Sequence, residues 1–505
     1  MRTTMTRRGF LALAGGAALA GCTASAEEVA PNGQATTGGA LRALFPGAGA
    51  AESLDPHVPP TPLDRARHKA LFDKLVELDD DLRPVPRLAK RWESDADATV
   101  WRFTLREARF HDGRVLTPDD VLATLARVTD PNAQGRVARS ALAALDLANS
   151  RAADATTVEL ALTAPTAELP ALLAGAGTAI VPADYADPAK AVGTGPFALA
   201  AFEPGRLLVA RAFADHWDGA PHLAELHVLT AGDEAARVAA LRAGGAEYAH
   251  GLGPAFVDAA GSSLRALTAR GGVAHGFAMR ADRAPFDDPR VRAAFRLLAD
   301  RTALVGQVLG GRGEVGNDLF GKGFQHYAGD LPQRLRDVAA ARELLRGAGA
   351  GDLAVTLRTT ELPVVREAAE LYAGQLREGG VAVTVEVRPE ATYAAERAAG
   401  DGLWSYWAEP TTIPGHLESA EERAVTGWRD PEHDLALEQA RSTVDSATRG
   451  ELYRRVQRVR HDQGALLVWG HADAVAGTTA AVRGVAAARQ DTDGWARFDR
   501  AWLSA

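Results

Sequence analysis

The sequence predicts an α/β fold of more than one structural unit, on three observations. Strand-like and helix-like stretches interleave from about residue 41 onward, the pattern that layers helices on sheets. The chain has 505 residues, room for about three units of ~150 residues. It is 47% hydrophobic and 24% charged, which suits large cores and excludes a disordered, fibrous or polytopic membrane protein. There is no internal repeat of solenoid length.

The formal net charge is -9, from 56 basic and 65 acidic residues. No basic stripe is visible, so nucleic acid is not an expected partner. Lysine stands only at Lys69, Lys74, Lys90, Lys190 and Lys322; the other basic residues are arginine. The single cysteine, Cys22, excludes a disulfide framework, a Cys-based metal site and a thiol triad.

The chain opens with Arg2, Arg7 and Arg8, then an apolar run from Phe10 to Ala20. That run is too short for a membrane span, which needs ~20 residues, and fits the apolar region of a secretory signal. Thr6-Arg7-Arg8-Gly9-Phe10-Leu11 resembles the twin-arginine export signal. Leu19-Ala20-Gly21-Cys22 resembles the lipobox of bacterial lipoproteins. The expectation is a signal peptide over 1–21 and lipidation of Cys22, followed by a flexible Gly/Pro-containing tether over 22–39. Two acyl chains would hold the protein stably on the outer face of the cytoplasmic membrane.

The body begins with a strand over Leu41–Phe45. Val100–Leu105 alternates bulky and polar residues, the period of a half-buried strand. His111-Asp112-Gly113 is a turn. Thr117-Pro118-Asp119-Asp120 starts a helix: a capping threonine, a proline at the first position, two acids on the positive dipole end. Strands follow at Val158–Leu162, Leu207–Ala210 and Leu226–Leu229. Asp287-Asp288-Pro289 repeats the cap and predicts one long amphipathic helix to about Leu309. Leu353–Arg358 and Val381–Val387 are strands around a helix at roughly 363–379. A helical pair covers roughly 434–463, with Thr448 or a neighbour capping its second member.

Motifs for chemistry are absent. Gly311-Arg312-Gly313-Glu314-Val315-Gly316 has dinucleotide-loop spacing but follows a helix instead of a strand, and reads as a flexible loop. Gly261-Ser262-Ser263-Leu264 lacks the second glycine of a nucleophile elbow. The carboxylate runs Asp79-Asp80-Asp81 and Glu421-Glu422 read as solvated faces, and His57, His111 and His216 as turn or surface residues. No nucleophile, base and oxyanion donors assemble, so no catalysis, cofactor or metal is expected.

Several ordered blocks resemble family 5 extracellular solute-binding proteins, the peptide- and nickel-binding components of ABC importers. They are Ser53–His57, Leu71–Glu77, Leu82–Glu93, Trp101–Arg106, Phe110–Gly113, Leu116–Val121, Val192–Phe197, Glu203–Gly205, Trp217–Gly219, Pro285–Phe295 and Arg449–Val459, and they span nearly all of the chain after the tether. The resemblance implies a two-lobed, periplasmic-binding-protein-like fold with an extra subdomain and a ligand cleft between the lobes. Lobe I would comprise 40–70, an inserted subdomain at 71–187, a second part at 188–269 and a return at 478–505. Lobe II would be 270–477. Leu54–His57 and Gly193–Phe197 read as turn and packing elements.

The resemblance also implies a function: capture of a peptide in the cleft and delivery to the importer's permease subunits, by a monomer. In peptide-binding members a Trp-x-Ala-Asp segment ends a strand, and its aspartate pairs with the peptide's amino group. Here Trp407-Ala408-Glu409 is one residue shorter and carries Glu. Glu409 is the candidate amine partner, with Trp404, Tyr406, Trp407 and Phe277 as an aromatic cleft wall. Residues 275–280 lack the Glu found in many peptide binders. The alternative is the same importer role for a nickel chelate, an opine-like compound or a sugar. His326 and His416 do not have convincing ligand spacing for nickel.

Overall fold

The structure, a computed structural model, describes residues 35–505 except 48, 50, 51 and 505. The expected signal segment and Cys22 lie outside the described residues. The end of the expected tether is docked on the body: Thr36 Oγ1 donates to the Leu503 carbonyl at 2.7 Å and Gly38 N to that of His222 at 2.7 Å.

Two large sheets define two lobes. The first has seven strands, in the order Leu264–Ala269, Ala474–Thr479, Tyr248–Leu252, Ala40–Phe45, Glu225–Thr230, Leu207–Ala212, Phe197–Glu203. The opening strand pairs parallel with both neighbours and the remaining pairs are antiparallel. Its Leu41, Ala43 and Phe45 are fully buried, as alternation predicts. The second sheet has six strands, in the order Gly313–Val315, Leu466–Ala472, Ala274–Met279, Leu403–Ala408, Ala354–Thr360, Ala382–Arg388. The chain crosses between lobes at 270–273 and at Asp473. The expected return at 478 therefore falls inside the strand Ala474–Thr479, which already pairs with the first sheet.

A third, four-stranded antiparallel sheet (Ala89–Ser94, Val100–Leu105, Thr157–Leu162, Leu145–Ala152) lies within the expected insertion, beside the helix Pro118–Thr129. That helix starts as the sequence predicts: Thr117 N donates to Asp120 Oδ2 at 2.8 Å in a capping box. A helix at Pro62–Leu71, unmarked in the sequence analysis, uses the same device with Thr61 and Asp64.

Three elements depart from expectation. The long helix is two, Pro289–Leu298 and Arg301–Val308. Ala299 is extended, Asp300 N donates to Gln375 Oε1 at 2.8 Å, and the Asp300 carboxylate caps the second helix through Ala303 N at 2.9 Å. The expected loop at 311–316 contains an edge strand, Gly313–Val315, paired with Leu466–Ala472. The helical pair spans Pro431–Ser442 and Ser446–Gln463, with Asp445 as the second cap, its carboxylate accepting from Thr448 N at 2.9 Å. Among the described residues no helix is long and apolar enough to cross a membrane.

Candidate functional site

The strand Leu403–Ala408 sits centrally in the second sheet, between Ala274–Met279 and Ala354–Thr360. It brings the expected aromatic residues together, but mostly inside the lobe. Phe277 is fully buried and stacks on Tyr372 at 4.4 Å between centroids. Trp404 is buried, and its Nε1 donates to the Asp401 carbonyl at 2.9 Å. Tyr406 is buried, and Arg397 from the helix Glu390–Ala399 lies 5.3 Å from both its ring and that of Trp407. Arg397 thus occupies the aromatic cluster from within, as a cation over ring faces. Phe277, Trp404 and Tyr406 are core residues, a correction to the expected wall. Trp407 is half-buried and stacks on Tyr393 at 5.6 Å between ring centroids.

Glu409 lies just past the strand's end. It is exposed to water, although protein surrounds it at longer range. This desolvation pushes its carboxyl above the usual carboxylate range, and Arg65 of the other lobe pulls it partly back. Among the described residues Glu409 has no ion-pair partner within contact distance.

Arg65 belongs to the helix Pro62–Leu71, whose spacing puts Arg65, His68 and Lys69 on one face. These three line a pocket with Lys74, Glu77 and Trp495. Lys69 Nζ lies 3.6 Å from one Glu77 oxygen and Lys74 Nζ 3.8 Å from the other. Lys69 also donates to the Thr492 carbonyl at 2.5 Å and Lys74 to that of Ala174 at 2.7 Å. Arg65 pairs with Asp491. Burial lowers His68 to about 3, so it is neutral, and lowers Lys69 to about 8. The sequence analysis missed this face. Its signal was there: two of the chain's few lysines stand within six residues of each other, after an arginine at helical spacing.

Other blocks that carry the family resemblance have structural partners. Asp73 accepts from Arg87 Nη2 at 2.9 Å, Thr194 Oγ1 at 3.1 Å and Trp217 Nε1 at 2.9 Å, tying four sequence blocks into one node. His57 Nε2 is 2.8 Å from the Ala179 carbonyl, and Asp55 binds Arg127 and Arg136 at 2.8 and 2.9 Å. His416 stacks on Phe320 and lies 3.0 Å from Glu422, while His326 sits beside Glu168. Among the described residues no three His, Cys, Asp or Glu side chains are placed to hold a metal.

Two sheet-based lobes joined by short crossings, with charged residues facing each other between them, define a two-lobed solute-binding protein. The sequence profile of the bacterial extracellular solute-binding proteins, family 5, matches residues 83–413. The chain belongs to that family. It is 26% identical over 457 residues to the probable di/tripeptide-binding protein 5 of Pseudomonas aeruginosa (82% of this chain, 87% of the relative). It is 24% identical over 467 residues to the heme-binding protein A of Haemophilus influenzae (83% and 85%). The solved periplasmic binding protein DppA of Helicobacter pylori, in complex with the peptide STSA, superposes with a TM-score of 0.78 at 20% identity (93% of this chain, 99% of that one).

Proposed function

We propose that this protein captures a peptide between its lobes and hands it to the permease of an ABC importer. The observation that carries the reading is Glu409: a carboxylate without an ion-pair partner among the described residues, at the end of a central strand, facing the opposite lobe. A desolvated carboxylate is suited to an ammonium, because a cation enclosed in a cleft must be paired and hydrogen-bonded. Trp407 beside it, half-buried, leaves some apolar surface for a side chain. The di/tripeptide-binding relative and the peptide complex of the H. pylori protein support this ligand class. We further propose that the protein works as a monomer outside the cytoplasmic membrane, held there by lipid on Cys22, which keeps it at high local concentration beside its permease.

Native mass spectrometry of the body purified without denaturation tests the ligand. A bound mass that fragments into an amino-acid ladder, and is lost in Glu409→Gln, is the expected result. A bound mass with no amide ladder, or one carrying a metal, overturns the peptide assignment while leaving the importer role. Intact mass of the membrane-extracted protein tests the anchor, since Cys22→Ser should remove a diacylglyceryl increment and release the protein from the membrane.

A further inference from the structure

One guanidinium stands where the units of the molecule meet. Arg489 belongs to the segment that returns to the first lobe after the crossing at Asp473. That segment is rooted on the insertion: Thr492 Oγ1 donates to Asp80 Oδ1 at 3.1 Å, and Asp493 N donates to the Leu78 carbonyl at 2.6 Å. From there Arg489 donates to two backbone carbonyls, that of Asp80 in the insertion and that of Arg270 at the start of the other crossing. Its guanidinium carbon also lies 4.9 Å from the ring centroid of Phe324, a buried residue of the second lobe. Gly271 keeps the space for it: a Cβ there would come 3.3 Å from both Arg489 Nε and Nη2, at a φ of +65° that glycine adopts freely. The two crossings are tied to each other, Gly272 N donating to the Ala472 carbonyl and Ala472 N to that of Val273, both at 2.8 Å. Among the described residues no carboxylate pairs with Arg489; Asp80, Asp81, Glu314 and Asp473 attract it from further off.

We propose that Arg489 is a latch that sets how much of the protein is closed: rooted on the first lobe and its insertion, it holds the hinge by the Arg270 carbonyl and the second lobe by the Phe324 ring. A rotation about the crossings leaves the Asp80 contact on its own side and draws the guanidinium away from the ring. Both kinds of contact are stronger for a cation than for a neutral donor, so their loss weighs on the closed form alone. A planar fork suits two carbonyls and a ring face at once, which the single ammonium of a lysine does not. Every contact is internal to the chain, so the latch acts whatever solute the cleft takes and stands apart from the peptide reading. Arg489 acts through closure and is a positioning residue. Two backbone amides cross the same seam between insertion and second lobe and report its opening: Gln325 N donates to the Asp81 carbonyl at 2.9 Å, and Ala167 N to that of Arg441 at 2.8 Å.

Hydrogen exchange of the full chain without added solute tests this, with Gly316 N, which donates to the Trp469 carbonyl inside the second lobe at 2.9 Å, as the control. Amides that cross the seam exchange through its opening, and the control through unfolding of the lobe. Arg489→Gln is expected to speed exchange at Gln325 and Ala167 about tenfold, the scale of one charge-assisted hydrogen bond, and to leave Gly316 unchanged. Arg489→Lys keeps the charge without the fork and should restore part of the protection. Phe324→Leu removes the ring face and should speed Ala167, which lies in neither substituted segment, several-fold. The double variant should not exceed Arg489→Gln alone, because ring and guanidinium act through one contact. Seam amides that exchange at the original rate in Arg489→Gln overturn the latch. Equal acceleration at Gly316 shows a general structural role and also overturns it, as does a double variant equal to the sum of the two single effects. Should Arg489→Gln fail to fold, Arg489→Lys and Phe324→Leu decide by the same readings.

Discussion

At the scale of single residues, the cleft places one titrating group of each sign on opposite lobes, and their environments shift both toward neutrality. Desolvation raises the Glu409 carboxyl, so peptide affinity falls as pH drops through its elevated ionisation range and the ammonium loses its partner. Desolvation lowers Lys69 to about 8, against the attraction of Glu77 and Asp493 and with repulsion from Lys74 and Arg87. The sign for stability follows: a depressed lysine costs the fold most when charged, below about 8, and the cost is relieved as pH rises toward the unfolded value near 10.4. Affinity should also fall above pH about 8, where the peptide's own α-amino group loses its proton and with it the pairing to Glu409. A pH series of dissociation constants checks it: loss at both ends is expected, and a flat profile would sink the pairing of the ammonium with Glu409. The strand Leu403–Ala408 was legible in the sequence, because an apolar, aromatic run closed by Glu-Pro is a local pattern. The burial of Phe277, Trp404 and Tyr406 was not, because strand alternation says which residues share a face but not that Arg397 and Tyr372 cover those faces from elsewhere. The first-lobe pocket was hidden for the same reason: Trp495 reaches it from hundreds of residues away.

At the scale of elements, local signals located what local physics decides. Capping boxes fixed the start at Thr117, and alternation fixed Val100–Leu105. The split at Ala299 was hidden because its cause is a distant amide, Gln375, which takes the Asp300 N–H. The edge strand Gly313–Val315 was hidden because only its partner strand makes it one. The block at Gly193–Phe197 shows close approach as the reason for a glycine. A Cβ on Gly195 would meet Phe72 N at 2.6 Å and the Ala70 carbonyl oxygen at 2.7 Å, all backbone that cannot step aside. Gly195→Ala is therefore expected to cost about 1–3 kcal/mol, the usual range for overpacking. Gly306 lies inside the helix Arg301–Val308 with nothing within 4 Å of an added Cβ. Gly306→Ala should instead stabilise by about 0.5–1 kcal/mol, by removing backbone freedom from the unfolded chain. Thermal and denaturant unfolding of the two variants should move in opposite directions.

At the scale of the whole molecule, the inserted unit does not stand apart from the second lobe. Leu75, Phe103 and Leu125 of the insertion share one apolar cluster with Phe320, Ile413 and Tyr453 of the second lobe. Polar contacts close the same seam. Ala167 N donates to the Arg441 carbonyl at 2.8 Å, and Arg449 Nε donates to Glu168 Oε1 at 2.6 Å. Glu168 is nearly buried, and desolvation raises its carboxyl against the pull of Arg449. A solute-binding protein that closes on its ligand by a hinge needs contacts made only when closed, and this ion pair joins residues 281 apart in sequence across the seam. Removing one partner of a buried pair costs about 3–5 kcal/mol, because the other charge stays desolvated. Opening the seam lets Glu168 reach water and avoids that cost, so Arg449→Met should shift the population toward an open form. The expected readings are a larger radius of gyration by small-angle scattering without ligand and a weaker peptide dissociation constant, by about tenfold for a competent fraction reduced to about a tenth. Adding Glu168→Gln removes the stranded charge and should restore both readings in part. Unchanged scattering and affinity in Arg449→Met would show that the apolar cluster alone holds the seam.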